Sequence, residues 1–225
     1  MLDQFSYDEY KQILGVLSKN HENITFSDTL IKKPVCYFIL RHDIDFSLSS
    51  ALDMAYIEAE NGIRATYFLL LRSEYYNLLS EKSCILPRQL IELNHEVGLH
   101  YDVRTIHKQT DRDFEKILNW EIEILSELSG KKISSISMHN PSLYGGDPFF
   151  NTNIFINAYN DCFTKEIAYF SDSCGGWRDN AFNSFVNEEI PCRLQLLIHP
   201  FFWVKNPGNR RSEEHTSELQ SPNTI

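Results

Sequence analysis

Apolar runs typical of buried strands alternate with helical patterns along most of this 225-residue chain. The clearest run is residues 35–40 (VCYFIL), which is continuous, rich in β-formers and as apolar as a strand buried on both faces. Strands that alternate with helices imply βα units around a parallel sheet. The chain length suits one α/β barrel, since such barrels commonly run to about 200–250 residues.

The other predicted elements continue this alternation. We predict strands at residues 65–71, 96–101, 133–138, 168–170 and 194–198, and helices at 7–18, 48–59, 87–94 and 110–128. The expected fold class is α/β, a distorted (β/α) barrel of about seven strands over residues 31–210. Residues 1–30 are expected to form a helical extension that packs on the barrel.

Composition excludes several classes of protein. A net charge of −10 argues against a nucleic-acid partner, because nucleic-acid affinity depends on Lys and Arg neutralising phosphates. No apolar run reaches the roughly 18 residues of a membrane span, and the N-terminus lacks the layout of a signal peptide, so we expect a cytoplasmic location. The five cysteines are scattered, without a C-x-x-C pair, and we predict that they are reduced. The oligomeric state stays open.

The C-terminal segment differs from the rest of the chain. Residues 211–221 (RSEEHTSELQS) resemble the in-frame translation of a sequencing-library adapter. The alternative is an ordinary acidic, solvated tail. We expect residues 211–225 to be an artefactual, disordered tail, and the natural protein to continue past Arg210.

Ionisable side chains follow five of the predicted strands. Asp43 and Asp45 follow the first, His100 and Asp102 the third, and three later strands end at the residues His139, Asp172 and His199. The C-terminal strand ends of an α/β barrel converge on the face that holds the active site. The sequence therefore predicts that these Asp and His side chains meet in one place.

Carboxylates and imidazoles together suit Zn²⁺ and other divalent first-row metals. A bound cation lowers the pKa of its water and polarises a carbonyl, while a nearby Asp and His move protons, and this combination hydrolyses an amide or ester. Single residues have plainer interpretations, because Asp45 could cap the following helix and His100 could be a hydrogen-bonded core histidine. We expect His21, His95 and His107 to be structural.

The motifs around these residues resemble those of the polysaccharide deacetylases (NodB-like family), over about residues 35–204. RHDID, followed by a helix and GIRATYFLLL, resembles the first family motif, NHEVGLHYD the second and LLIHP the last. The wording RHD-x-D and GLHYD is closest to a cytoplasmic branch, the WbmS-like deacetylases of surface-polysaccharide biosynthesis. SMHNPS and YFSDSCGGW resemble the motifs that shape the groove and contact the base.

The resemblance implies a role for each matching residue. Asp43 is the expected catalytic base, Asp45 and His100 are expected metal ligands, and the general acid is expected to be His199. The family's first motif has two adjacent Asp, whereas Ile44 separates them here, so the roles of Asp43 and Asp45 could be exchanged.

Arg104 stands where the second motif supplies a further ligand histidine, and an arginine cannot bind a cation. His139, at a position where many members have Arg, is the candidate third ligand. Asp172 is expected to orient a catalytic group. The metal expected is Zn²⁺, with Co, Ni, Mn or Fe as alternatives.

Residues beside the motifs are expected to bind the substrate: Arg41, His42, Tyr101, Asn140 and Trp177. An aromatic face such as that of Trp177 suits the apolar face of a sugar, although packing is the equally weighted alternative.

The expected function is therefore that of a hydrolase of carbon–nitrogen bonds other than peptide bonds, which removes an N-acetyl group from a sugar or polysaccharide precursor. One alternative is a metal-dependent amidohydrolase acting on another small amide, since fold does not fix function. A second is a degenerate barrel that binds a glycan or partner protein without turnover.

Overall fold

The computed structural model describes residues 5–104, 114–141, 145–146, 154–177 and 181–205 of the chain. Besides parts of the predicted domains at 1–30 and 31–210, three further predictions fall wholly or partly beyond this portion. They are the adapter-like tail at 211–225, the first residues of the helix predicted at 110–128, and His107.

Eight strands run through the described residues. They are β1 (Glu22–Ile24), β2 (Tyr37–Ile44), β3 (Ala65–Leu70), β4 (Glu96–Tyr101), β5 (Ser135–Met138), β6 (Ile156–Asn157), β7 (Ala168–Ser171) and β8 (Arg193–Ile198). The predicted strands match six of these, and the short strands β1 and β6 were missed. A two- or three-residue strand has no period to detect in sequence.

The described residues include six helices, α1 before the first strand and the others between strands. They are α1 (Tyr7–Ser18), α2 (Leu48–Glu60), α3 (Leu86–Glu92), α4 (Phe114–Ser129), α5 (Asp161–Thr164) and α6 (Ala181–Asn187). Short 3-10 segments at Ser27–Leu30, Ser173–Gly175 and Pro200–Phe202 complete the connections. Within the portion that the structure describes, no helix combines the length and apolar character needed to cross a bilayer.

Seven parallel strands form one curled sheet in the order β6-β5-β4-β3-β2-β8-β7, and β1 pairs with the first half of β2. From β2 the strands β3, β4, β5 and β6 follow one another along the curl in chain order. The strands β7 and β8 lie on the other side of β2, so the circle from β2 to β8 also keeps chain order. Within the described residues β6 and β7 do not pair with each other, so the sheet is an open half-barrel. The predicted α/β class with about seven strands is confirmed.

Strand β2 is longer than predicted and begins later. Val35 is 85% exposed, so the prediction that it opens a buried strand was wrong. At its other end β2 continues through Arg41, His42 and Asp43, all buried. The strand can continue through these residues because each charged side chain has a partner on its own face of the sheet.

One such partner is Glu58 of α2, on the helix side of the sheet. Its carboxylate lies 2.6 Å from His42 Nε2 and accepts hydrogen bonds from the hydroxyls of Tyr10 and Tyr67. Burial would raise the pKa of Glu58, but the charge and hydrogen bond of His42, with smaller effects of His95 and Tyr10, lower it. A fully buried carboxylate is tolerated here because its oxygens are hydrogen-bonded.

The N-terminal segment joins the barrel at two points. Helix α1 starts with a capping box, in which Ser6 Oγ accepts from the Glu9 amide and the Glu9 side chain accepts from the Ser6 amide. Its buried face, which includes Tyr10 and Leu14, belongs to the main core. Through β1 the segment also adds a strand to the sheet, so it is more than a helical extension.

Two cysteines form a disulfide, which corrects the prediction that all five are reduced. Cys36 and Cys192 stand just before the paired strands β2 and β8, with their Cα atoms 4.5 Å apart. They are 156 residues apart in sequence, so only the pairing of β2 with β8 brings them together. Cys84 and Cys162 are free.

Candidate active site

The C-terminal ends of the parallel strands surround a cavity of about 940 Å³. Asp43 lies in β2 and His100 in β4, and Asp45, His139 and His199 are the residues directly after β2, β5 and β8. All five line this cavity. The structure thus brings together the residues that sequence placed at separate strand ends.

Asp45, His100 and His139 form a compact group of possible metal ligands. Asp45 Oδ1 lies 3.2 Å from His100 Nε2 and 3.0 Å from His139 Nδ1, and the two imidazole nitrogens are 3.3 Å apart. Tetrahedral zinc with bonds of about 2.0–2.1 Å sets its ligand atoms about 3.3 Å apart. One oxygen and two nitrogens therefore have the chemistry and spacing of three zinc ligands.

Further hydrogen bonds orient the two imidazoles. His100 Nδ1 lies 2.8 Å from the carbonyl oxygen of Ser137, to which it donates, and this leaves Nε2 as the ligand atom. His139 Nε2 contacts the side-chain amide of Asn140 at 2.8 Å, so Nδ1 points to the group. Asn140 has a φ of +48°, a conformation that Asn adopts more readily than most residues.

Asp43 lies deeper and is held by Arg41. Arg41 Nε donates to Asp43 Oδ1 at 2.9 Å and Arg41 Nη2 to Oδ2 at 2.7 Å, a two-bond pair between side chains two residues apart on one strand face. Ser137 Oγ donates to the same carboxylate. Burial would raise the pKa of Asp43, but the charges and hydrogen bonds of Arg41, with the charge of His100, lower it.

Arg41 itself is enclosed. Its guanidinium lies 4.3 Å from the Tyr159 ring centroid and 5.6 Å from that of Phe68, and it also donates to Gln195. Arg41, His42 and Tyr101 are fully buried and do not line the cavity. Their predicted contact with substrate therefore needs correction, because their side chains stand behind the cavity wall.

His199 is paired with the buried residue Asp172. His199 Nδ1 lies 2.7 Å from Asp172 Oδ1, and Trp203 Nε1 donates to Asp172 Oδ2 at 2.9 Å. Burial would lower the pKa of His199, but the hydrogen bond and charge of Asp172, with smaller effects of Asp43 and Asp45, raise it to about 9. This raised pKa favours the cationic form of His199 at neutral pH. Its Nε2 lies 3.9 Å from Asp45 Oδ2.

Arg104 does not approach the ligand group. Its guanidinium turns onto Asp102, with Arg104 Nη2 to Asp102 Oδ2 at 2.6 Å, and both residues line the cavity. His139 stands beside Asp45 and His100 instead. The position at which the family pattern has a histidine therefore carries a fixed cation on the cavity wall.

The remaining predicted substrate residues differ in placement. Asn140 lines the cavity and is exposed. Trp177 stacks on Phe5 at 5.7 Å between ring centroids and meets Trp203 at 5.9 Å, in a cluster that does not line the cavity. The packing interpretation of Trp177 matches this placement.

Sequence reasoning missed several aromatic residues of the cavity. Phe46 meets Tyr75 at 4.6 Å and Phe201 at 5.1 Å between ring centroids, and Phe202 meets His199 at 5.9 Å. The aromatic rim formed by Phe46, Tyr75 and Phe202 borders the cavity. Phe46 directly follows Asp45 and Phe202 lies shortly after His199, so their places beside the motifs were the available signal, whereas Tyr75 lies beside neither motif.

No protein-family model and no curated protein matches the sequence. Among solved structures, the chain is similar to the peptidoglycan deacetylase PdaC from Bacillus subtilis, with 16% identity, a TM-score of 0.47 and coverage of 84% of this chain and 83% of that chain. It is similar to a putative polysaccharide deacetylase involved in O-antigen biosynthesis, WbmS from Bordetella bronchiseptica, with 16% identity, a TM-score of 0.48 and coverage of 95% and 89%.

A CE4 family pseudoenzyme from Bacillus anthracis is also similar, with 13% identity, a TM-score of 0.43 and coverage of 81% of this chain and 60% of that chain. At these identities and TM-scores the similarity carries no argument about the chemistry of the site.

Proposed function

We propose that this chain is a metal-dependent hydrolase that removes an N-acetyl group from a sugar or sugar-containing precursor. The observation that carries the proposal is the group Asp45, His100 and His139, with Asp43 beside it and a cationic His199 on the other side. Hydrolysis of an amide needs polarisation of a carbonyl, a group that accepts a proton and a group that donates one, and the site offers all three.

Asp45, His100 and His139 would hold the metal, through one carboxylate oxygen and two imidazole nitrogens. When bound, a Zn²⁺ ion lowers the pKa of water and polarises a carbonyl oxygen. Both histidines are suited to this role because each presents one ring nitrogen to the group while the other is engaged outside it.

Asp43 is the proposed base. Its carboxylate Oδ2 lies 3.8 Å from His100 Nε2, next to the ligand group. The Arg41 pair keeps Asp43 ionised and fixes its orientation, so it can accept a proton without rotating. Asp45 contacts both ligand histidines, whereas Asp43 is engaged by Arg41 and Ser137, which favours Asp45 over Asp43 as ligand.

His199 is the proposed acid. A leaving amine must gain a proton, and the imidazolium of His199 carries one on Nε2, the nitrogen that faces the cavity. Asp172 holds the ring through Nδ1 and the backbone amide of His199. Asp172 thus acts on His199 rather than on the substrate.

Two observations support a sugar as the amide-bearing substrate. The RHDID, GLHYD and LLIHP motifs resemble those of polysaccharide deacetylases, and the cavity of about 940 Å³ has room for more than one sugar ring. The aromatic rim at Phe46 and Tyr75 offers rings for the apolar face of a pyranose. The surface-polysaccharide pathway and the cytoplasmic location remain proposals that rest on the motif resemblance.

The test is acetate release from N-acetylated sugars by zinc-loaded protein. We expect release by the wild-type chain, and losses of about 100-fold or more in kcat for Asp43→Asn and His199→Gln, since each removes a proton-transfer group. Asp8→Asn on the exposed face of α1 is the matched control and should keep full activity. Zinc-loaded, folded protein that releases no acetate from any N-acetyl sugar would contradict the proposal.

A further inference from the structure

Strands β2 and β3 are joined at their last residues by the hydroxyl of Tyr76. The hydroxyl accepts a hydrogen bond from the Leu70 amide at 2.9 Å and donates one to the carbonyl oxygen of Ile44 at 2.7 Å. Ile44 and Leu69 form the last register pair between the two strands. The phenol therefore links the strands where their own pairing ends, directly before the proposed metal ligand Asp45.

The short segment at residues 73–76 also contacts the two residues that follow β2. Ser73 Oγ lies 3.5 Å from the carbonyl oxygen of Asp45, and the ring of Tyr75 meets that of Phe46 at 4.6 Å between centroids. Ser73 Oγ also accepts hydrogen bonds from two backbone amides of its own segment, at 3.0 and 3.3 Å, which orders the segment. Three consecutive residues, from the end of β2 onwards, are thus each contacted by one residue of this segment.

Asp45 has to reach two imidazoles at once. Its Oδ1 lies 3.0 Å from His139 Nδ1 and 3.2 Å from His100 Nε2, and both histidines come from other strands or their ends. Asp45 itself follows β2 and lies beyond the last register pair with β3. Metal ligands need their positions fixed to within about 0.5 Å by the residues behind them, so the backbone at Asp45 requires an anchor other than the regular pairing.

We propose that Tyr76 is a positioning residue for Asp45, which it holds in place through the backbone of Ile44. This inference rests on the metal ligation in the proposed function and deepens it, but it does not depend on turnover. The hydroxyl suits the role because its single proton goes to the Ile44 carbonyl while a lone pair accepts from the Leu70 amide. One group thus fixes the ends of both strands.

The two strand ends that Tyr76 joins are enclosed in the fold. Ile44 and Leu70 are both buried, so a carbonyl and an amide that lost the hydroxyl would be costly to leave unpaired. Without the hydroxyl we expect the strand ends to shift until these groups find other partners, and Asp45 to shift with them. The ligand group would then keep its three side chains but lose its spacing.

The test is the zinc affinity of Tyr76→Phe, measured on the full chain by competition with a chromophoric chelator. We expect the affinity to fall by about 10- to 100-fold, the range for residues that orient a metal ligand. Co²⁺ in place of zinc gives a second readout that needs no turnover, because its d–d absorption bands report the geometry of the ligands. These bands should differ in position or intensity between Tyr76→Phe and the wild-type chain.

Tyr67→Phe is the matched control. It removes another tyrosine hydroxyl that bonds within the fold, one that donates to Glu58 Oε2 at 2.8 Å on the helix side of the sheet. Because Tyr67 is fully buried, its urea midpoint should fall, while zinc affinity and the Co²⁺ bands stay at wild-type values. Ser73→Ala removes the hydroxyl that orders the 73–76 segment, and it should weaken zinc binding by a smaller factor than Tyr76→Phe.

Wild-type zinc affinity and Co²⁺ bands in Tyr76→Phe and Ser73→Ala would overturn the inference. Equal weakening of zinc binding by Tyr67→Phe would overturn it too, because the effect would then follow lost stability rather than the position of Asp45. Failure of the deacetylase proposal gives a different result. In that case the wild-type chain binds zinc and releases no acetate, and the difference between Tyr76→Phe and Tyr67→Phe remains.

Discussion

Asp45 is the residue on which the charges of the site converge. Its carboxylate oxygens lie within 4 Å of ring nitrogens of His100, His139 and His199. Burial would raise the pKa of Asp45, but hydrogen bonds and charges of His100 and His139 lower it strongly. The lowered pKa favours the ionised form of Asp45, which is the form of a carboxylate that binds metals.

The first prediction concerns His139, the proposed third metal ligand. His139→Ala removes one of three ligand atoms, so we expect zinc affinity to fall by more than the roughly 10- to 100-fold caused by loss of a residue that only orients a ligand. Zinc content after dialysis against a chelator measures this. His21→Ala, whose ring contacts only backbone carbonyls in the described residues, is the control. Unchanged zinc content in His139→Ala would refute the ligand assignment.

The second prediction concerns the pair of His199 and Asp172. Asp172→Asn removes the charge that raises the pKa of His199, so the acid form is lost at lower pH. The alkaline limb of the kcat profile should move down by about 1–3 pH units, with a larger loss of activity at pH 8.5 than at pH 6.5. An alkaline limb that stays in place would mean that His199 does not set it. Asp8→Asn serves again as the control.

For single residues, sequence reasoning succeeded where the position of a residue at the end of a strand determines its location in the fold. Asp45, His100 and His139 were predicted as one group because parallel strands end at one face. It failed where the burial of a side chain decides whether the residue can reach the substrate. Arg41 is the example, because its place in a motif does not show that it is buried behind the cavity wall. Only the structure shows that Asp43 occupies its guanidinium.

Strand β4 packs against residues that support the proposed base. Gly98 lies at its centre, and a Cβ there would come within 2.5 Å of Phe68 Cδ1 and 2.8 Å of Ser135 Oγ. The Phe68 ring in turn lies 5.6 Å from the Arg41 guanidinium that holds Asp43. Because Gly98 has no side chain, β4 leaves space for Phe68, which packs near the arginine that orients the proposed base.

The third prediction tests this packing. Gly98→Ala forces the Phe68 ring to shift, and we expect a loss of about 1–3 kcal/mol in the free energy of unfolding together with a lower kcat. Gly15→Ala is the matched control, because nothing lies within 4 Å of its added methyl on the exposed side of α1. That change should stabilise by about 0.4–1 kcal/mol. Urea denaturation measures both, and equal effects of the two substitutions would contradict the account.

The end of an element was predicted well where its run of apolar residues stops at the same position as the element. It was predicted poorly where the element continues into charged residues. Strand β3 matched closely because ATYFLL is rich in aromatic and aliphatic residues and is buried at every position. Strand β2 was cut short because RHDI is charged in sequence, yet Arg41 pairs with Asp43 and His42 with Glu58. A pattern in the local sequence cannot show that a charged residue will be buried beside a partner from another part of the chain.

At the level of the whole molecule, the disulfide joins the start of the barrel to its last strand. Cys36 precedes β2 and Cys192 precedes β8, at the strand ends opposite the cavity. The prediction of reduced cysteines relied on scattered spacing, and spacing cannot show that residues 156 apart are sheet neighbours.

The last prediction follows from this link. Closing a loop of 156 residues restricts the unfolded chain, so Cys36→Ser should lower the free energy of unfolding by about 2–5 kcal/mol under non-reducing conditions. The same loss should follow treatment of the wild-type chain with a dithiol, whereas Cys84→Ser, which removes a free thiol, should have little effect. Because the bridge lies at the opposite end of β2 and β8 from Asp45 and His199, zinc affinity should not change. Alkylation of both Cys36 and Cys192 without reductant would show instead that the barrel holds these strands together by pairing alone.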